Sequence, residues 1–276
     1  MAAACAMLDD IHEDLPRHTN DTNTYTLGSR GERADTPHPN LLIDPPWLMV
    51  GIGGGVPKRV DMRVGDVVVG TRVMQYDLGK IIGDRQIQRT AVPKSPHHLL
   101  GTAVASLQAR HERDGSRISH IRGKFDRHSQ YGRPTMTDCL FFSEYDHTSP
   151  APSCDEYDRS KLVSRRRRNT DNPVIHYGTI ASGNQVMRNG TQRDNIAQQL
   201  DAICFEMEAA GLMDILPCLP IRGICDYSDS HKDKEWQRYA AATAAAYARE
   251  LLGVPPVAEV QTKVVSAPDP CKSSVS

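Results

Sequence analysis

Short apolar runs alternate with helical patterns along most of this chain, and that alternation restricts the fold more than any other feature. Apolar runs bounded by glycine, proline or charged residues are typical of buried strands. They lie at residues 47–52, 64–69, 73–76, 174–181 and 219–225. Helical patterns occupy residues 2–15, 97–110, 193–200, 207–216 and 236–252. This alternation predicts an α/β protein with a central sheet flanked by helices.

Two segments interrupt the alternation. Residues 16–46 show no periodicity and are punctuated by prolines, which predicts an irregular stretch inside the domain. The last residues are rich in proline, serine and valine, and we interpret residues 254–276 as a disordered tail. With 276 residues, the chain is long enough for one large domain, which we place at residues 1–253.

Charge and cysteine content narrow the class of protein. The formal net charge is -1, so overall charge favours neither nucleic acid nor a membrane as a partner. No apolar stretch reaches the ~20 residues of a membrane span, and the first residues do not read as a signal peptide. The seven cysteines are scattered, without a C-x-x-C pair, which favours reduced thiols over disulfides or a metal site. We therefore expect a cytoplasmic or otherwise intracellular protein, the nucleus included, with no cofactor.

Four consecutive arginines at residues 165–168 allow two interpretations. A basic run of this kind occurs in nuclear-localisation signals and in nucleic-acid patches. Because it lies in a polar, irregular stretch, we favour a solvated surface.

Two acidic segments mark the candidate site. Glu206 and Glu208 stand where a helical pattern begins, and Asp226 stands where the apolar run at residues 219–225 ends. Ligands of α/β proteins bind at such sheet edges, so these carboxylates could grip a polyol and supply a proton. Structural alternatives remain: carboxylates favour helix N-termini, and Asp226 could pair with Arg222.

Five segments together resemble the purine nucleoside phosphorylase and uridine phosphorylase superfamily. They are residues 48–57, 61–69, 176–187, 204–211 and 222–232. The subgroup that the chain most resembles comprises the nucleoside-phosphorylase-like domains of filamentous fungi, which are often joined to nucleotide-binding regulatory modules. The resemblance implies a mixed central sheet and cleavage of an N-glycosidic bond of a purine nucleoside by phosphate or by water.

The resemblance also implies a role for each site residue. Asp226 would act as the acid that protonates the departing base, and Glu208 would hold the ribose hydroxyls. Met207 would pack on the sugar, with Glu206 beside it. The base pocket would be lined by Ser182, Val186 and Met187. The phosphate or water site would be formed by a glycine loop that contains Gly51, Gly53 and Gly54.

The chain departs from the family pattern in ways that bear on activity. The family's first strand and one later strand–helix crossover are expected to be lacking. Ile52 stands where enzymes of the superfamily usually carry serine or threonine, and an isoleucine side chain cannot donate a hydrogen bond to phosphate. Pro220 lies inside a predicted strand, which is tolerable only near the start or edge of that strand.

Three hypotheses for function therefore stay open. The chain could be a nucleoside-cleaving enzyme, a catalytically inactive nucleoside-sensing or interaction module, or a truncated copy without function. The expected partner is a small-molecule nucleoside, with phosphate as an optional second substrate. Members of the family commonly assemble, so a homo-oligomer is also an expectation.

Overall fold

The computed structural model describes residues 10–11, 28–29, 47–82, 86–124, 129–147, 158–232 and 234–254. Nine strands lie in these residues: β1 (Asp10–Ile11), β2 (Gly28–Ser29), β3 (Leu48–Gly55), β4 (Val67–Gln75), β5 (Gly79–Ile82), β6 (Gln86–Arg89), β7 (Ile175–Ser182), β8 (Ala202–Glu206) and β9 (Leu219–Asp226). The α-helices in the same residues are α1 (His98–Asp114), α2 (Ile118–Gly123), α3 (Gly190–Leu200), α4 (Ala209–Leu212) and α5 (Glu235–Leu252).

Five of the strands close into a barrel in the order β3–β8–β7–β4–β9. Parallel pairs join β3 to β9, β4 to β7 and β7 to β8, whereas β3–β8 and β4–β9 are antiparallel. The predicted mixed α/β fold is therefore confirmed. β5 and β6 form a separate antiparallel pair that the sequence patterns did not predict.

Strand β9 pairs with β3 on one side and with β4 on the other, and every one of its residues is buried. Strands buried on both faces are nearly continuously apolar, as this one is apart from Arg222 and its final Asp226. Pro220 is the second residue of β9, and the antiparallel ladder with β4 begins only at Ile221. Proline therefore sits where its missing N–H does not disturb that ladder, as expected.

Helix α5 packs directly against β9. A Cβ atom added at Gly223 would collide with the backbone carbonyl of Ala240, so this contact requires glycine on the strand. Alanines along α5 allow the same close approach, and most of the helix is buried. This packing fixes the strand that ends at Asp226.

Most of the predicted elements are confirmed, with shifts of a few residues at their ends. The helix predicted at residues 207–216 is wrong in length, since α4 covers only Ala209–Leu212. Beyond Gly211 the backbone mixes bonds to the third and fourth preceding carbonyls, as in Asp214 to Gly211 and Leu216 to Leu212. Such mixed turns end a regular α-helix.

The predictions for the first part of the chain lie largely outside the described residues. The helix predicted at residues 2–15 is wrong at Asp10–Ile11, and the irregular stretch at residues 16–46 is interrupted by Gly28–Ser29, because these two pieces pair as strands. The expected lack of a first strand and of a crossover stays a prediction, as does the disordered tail. Within the described residues, no helix is long and apolar enough to cross a membrane.

Candidate active site

A buried arginine holds the two glutamates of the first acidic segment. The Arg222 guanidinium donates to the Glu206 carboxylate and, over 3.1 Å, to Oε2 of Glu208. The side chains of Arg222 and Glu206 are only 3% and 1% exposed. Burial lowers the pKa of Arg222, but the two carboxylates outweigh burial, so the pKa lies above its ordinary value. The cluster thus keeps the cation and one of its two acids, Glu206, out of bulk water.

The two glutamates have different surroundings. The Glu206 carboxylate also accepts from the backbone N–H of Glu208 at 3.2 Å and of Ala209 at 3.0 Å, so it is held in place by α4 as well as by Arg222. Glu208 is half-buried, and burial, with the nearby Glu206 charge, raises the pKa of its carboxyl despite Arg222. Met207 is 41% exposed between them. Glu208 and Met207 are therefore the members of this segment that can reach a ligand.

Asp226 ends β9 and lies in a turn that fixes its carboxylate. Oδ1 accepts from the backbone N–H of Ser228 at 2.8 Å, and Oδ2 lies 3.3 Å from Nζ of Lys232 and 3.3 Å from the thiol of Cys225. Ser228 has a left-handed backbone with φ of 53°, which is uncommon for a residue with a side chain. Such conformations persist where the surrounding structure enforces them, and they are common at functional sites.

Both acidic segments face the same part of β3, because a Cβ atom added at Gly53 would meet Cys204 of β8 and Arg222, and one added at Gly54 would meet Asp226. Burial raises the pKa of Cys204 above its ordinary value, and four nearby charges also act on this thiol. Those charges are Glu206, Arg222, Asp226 and Lys232. The structure therefore brings the two predicted acidic segments together around one end of the barrel.

The three residues predicted for the base pocket are not equally accessible. Ser182 is buried, and its hydroxyl accepts from the backbone N–H of Ala210 at 2.9 Å. Met187 is buried in a core cluster with Phe205. Val186, in contrast, is 54% exposed. Of the three, only Val186 presents its side chain outward, and the binding role of each remains a prediction.

The glycine run was expected to be a loop, and that expectation is wrong. Gly51, Gly53 and Gly54 all belong to β3, where they pair in parallel with β9. An added Cβ at Gly51 would collide with the guanidinium of Arg222, and one at Gly54 would lie 2.6 Å from Oδ1 of Asp226. These glycines make room for the site's side chains, and a role in phosphate binding stays a prediction.

A cavity of about 180 Å³ borders Asp226 on one side. None of Glu206, Met207, Glu208 or Val186 lines it. Its walls come instead from the turn after β9 and from residues 136–141, including Phe141, whose ring stacks on His231 at 4.2 Å. The sequence analysis predicted no site role for residues 136–141, whereas the lining residues of the turn after β9 all lie within residues 222–232, a segment already singled out.

The arginine run is also more than a solvated surface. Arg168 makes two hydrogen bonds of 2.7 and 2.8 Å to Asp66, and Arg165 donates to the Tyr227 hydroxyl at 2.8 Å. Arg166 and Arg167 are exposed, so the favoured interpretation holds for only half of the run.

Among the described residues, no group of three or more histidine, cysteine or acidic side chains could hold a metal ion. The site is thus a set of carboxylates and cations on a barrel of mixed strands. Comparison with known families identifies the class of proteins to which this fold belongs. The chain belongs to the phosphorylase superfamily, whose family model matches residues 48–253.

Individual relatives are similar over different shares of their length. A nucleotide-binding leucine-rich repeat (NLR)-like protein of Hyaloscypha variabilis is 37% identical over 91% of this chain, which spans only 28% of that relative. A 5'-methylthioadenosine/S-adenosylhomocysteine nucleosidase of Mycobacterium tuberculosis is 23% identical over 76% of this chain and 70% of its own. The ATP nucleosidase Cap17 of Escherichia coli is 25% identical over 74% of this chain and 35% of its own.

The fold agrees with a solved structure as well. The native structure of futalosine hydrolase from Helicobacter pylori superimposes with a TM-score of 0.50, at 14% identity, over 91% of both chains. At that identity the likeness concerns the fold alone. It supports the arrangement of the mixed barrel and its helices.

Proposed function

We propose that this domain hydrolyses the N-glycosidic bond of a purine nucleoside. The observation that carries the proposal is the buried Arg222, which bridges Glu206 and Glu208 and lies on the strand that ends at Asp226. When such a bond breaks, the ribose gains positive charge and the base gains negative charge. A carboxylate such as Glu208 can hold the sugar and stabilise the positive charge, and Asp226 can pass a proton to the base.

Charge balance favours water over phosphate as the acceptor. The guanidinium of Arg222 is already neutralised by two carboxylates, and Ile52 offers no hydroxyl donor. Two unit charges about 4 Å apart interact by about 4 kcal/mol at an effective dielectric constant of ~20. A phosphate dianion beside Glu206 or Glu208 would therefore be repelled by several kcal/mol, whereas water would not. The relatives named as nucleosidases are consistent with this choice.

The test is release of free base by the full chain. Adenosine, inosine, methylthioadenosine and ATP are incubated with the protein, each with and without phosphate, and the base is separated by chromatography. Hydrolysis predicts the same rate in both conditions and free ribose or its derivative as the second product. Release that requires phosphate, with a sugar 1-phosphate as product, would contradict hydrolysis; no release from any substrate would contradict the activity itself.

A second candidate is a nucleoside-binding module without turnover. Ile52 favours it, because its side chain packs against an apolar cluster that includes Cys225 and Tyr227 beside Asp226. The NLR-like relative, of which this chain spans 28%, also favours a domain that works as part of a longer protein. Calorimetry would show saturable nucleoside binding with no free base formed, and absence of binding would exclude this candidate.

A further inference from the structure

Two parts of the chain lie against the turn that carries Asp226. We call residues 136–142 and 158–168 the strap. Its two halves are joined by a bridge between Phe141 and Leu162 and by backbone hydrogen bonds from Val163 to Leu140 at 2.8 Å and from Phe142 to Lys161 at 3.0 Å. The strap and the turn after β9, with Val64 and Trp236, line the cavity beside Asp226.

Arg165 ties the strap to that turn. Its guanidinium donates to the Tyr227 hydroxyl at 2.8 Å and pairs with Oδ2 of Asp138 at 3.1 Å. The Tyr227 hydroxyl in turn donates to Oδ1 of Asp138 at 2.5 Å. The three side chains therefore close a ring of hydrogen bonds, and Tyr227 is buried. Charge-assisted bonds in a partly buried place are the stronger kind and fix geometry.

Tyr227 is held at its backbone as well as at its hydroxyl. Its carbonyl accepts from Nη1 of the buried Arg193 at 2.7 Å. The next residue, Ser228, donates its backbone N–H to Asp226, and Asp226 precedes Tyr227 directly. The Tyr227 side chain therefore projects from the same short turn of backbone that carries the Asp226 carboxylate, and the ring of hydrogen bonds is one of the contacts that fix this turn.

We infer that Arg165 is a positioning residue for Asp226 and acts through Tyr227. The inference rests on the proposed function, because it takes Asp226 as the acid that the reaction needs. Misplacing a reacting group by about 1 Å can cost on the order of 100-fold in rate. Arg165 would therefore affect the chemical step while leaving the sugar-binding side, with Glu208 and Met207, in place.

The arginine run supplies a matched control for the experiment. Arg165→Gln and Tyr227→Phe each remove one member of the ring, and Arg167→Gln removes an exposed arginine of the same run. We expect Arg165→Gln and Tyr227→Phe to lower kcat for nucleoside hydrolysis about 10-fold or more, with KM changed less than threefold. Arg167→Gln should leave both unchanged. Arg165→Lys should recover part of the rate, because an ammonium can still donate to the Tyr227 hydroxyl.

Two further measurements separate positioning from simple loss of folding. All rates are taken at least 15 °C below the melting temperature of each variant, so that the folded fraction is complete. Because Arg165 acts through Tyr227, the double variant should be at most about twofold slower than Arg165→Gln alone. Additive losses, or a kcat for Arg165→Gln equal to that of Arg167→Gln, would overturn the inference.

The outcome also distinguishes this inference from the proposed function. If the wild-type chain releases no base, the proposed function fails and the inference fails with it. If the wild-type chain is active and Asp226→Asn is not, while Arg165→Gln retains the wild-type kcat, only the positioning role is refuted.

Discussion

Replacing Arg222 by methionine tests the central ion cluster of the site. Methionine keeps much of the length of the arginine stem and is compatible with the neighbouring Met49, whose sulfur lies 3.2 Å from Nη2 of Arg222. The change therefore removes mainly the charge. Glu206 would then keep a buried negative charge without its cationic partner, since its side chain is 1% exposed.

The size of the expected loss follows from this burial. Removing one partner of a buried ion pair typically costs about 3–5 kcal/mol, because the other charge remains out of water. For a domain of about 200 residues, each kcal/mol lowers Tm by roughly 2–4 °C. We therefore expect Arg222→Met to lower the free energy of unfolding by about 3–5 kcal/mol and Tm by roughly 6–20 °C.

Urea unfolding followed by circular dichroism measures this loss, with two comparisons. Arg59→Met removes an arginine from the more exposed pair with Asp201 and should cost less than about 1 kcal/mol. Adding Glu206→Gln to Arg222→Met should recover stability, because it removes the unpaired carboxylate. A loss no larger than that of Arg59→Met, or a further loss on adding Glu206→Gln, would refute the buried cluster.

Three other predictions concern the acid, a pH dependence and the thiols. Asp226→Asn should lower kcat on the purine nucleoside by about 100-fold or more but should spare p-nitrophenyl riboside, whose leaving group needs no proton; equal losses on both would contradict the acid role. The pKa of Glu208 is raised in the folded protein from its ordinary value of 4.5, so the native state holds this proton to a higher pH than the unfolded state does. Stability should therefore fall as pH rises from the pKa of unfolded Glu208 to the pKa of folded Glu208. Glu208→Gln should reduce this fall, as measured by urea midpoints across pH, and an unchanged slope would contradict it. Burial raises the pKa of Cys218 to about 11 and that of Cys204 and Cys225 as well, so iodoacetamide at pH 8 should label these three thiols only after unfolding, which peptide mass spectrometry can check.

The sequence allowed the strands and helices of this fold to be predicted because their apolar patterns are local. Closure of the barrel could not be predicted, since the antiparallel contact of β3 with β8 joins Gly54 to Phe205, residues far apart in the chain. The carboxylates of the site were found through their motifs, but their organising cation was mentioned only as a pairing partner of Asp226. A single arginine inside the apolar run of β9 was the available signal, because a buried arginine must have a partner.

The contacts of the strap were also beyond what sequence patterns can predict. Arg165 lies 62 residues from Tyr227, and nothing in a polar run of four arginines distinguishes the two that become partly buried. Long-range side-chain contacts depend on the packing of the whole chain, whereas sequence patterns report spacing within one element. The site's acids were therefore predictable, and the groups that hold them in place were not.

The glycines of β3 connect the fold to the charges of the site. A side chain at Gly51 would occupy the space of the Arg222 guanidinium, and one at Gly54 would meet Asp226 and Ser228. A strand normally loses stability when glycine replaces a residue that packs well. Here the missing side chains leave room at one end of the barrel for an arginine and two acidic groups. β3 pairs with β9 through most of its length, so the glycines of β3 and the charged residues of β9 depend on each other. Larger side chains on β3 would displace the residues that the proposed reaction requires.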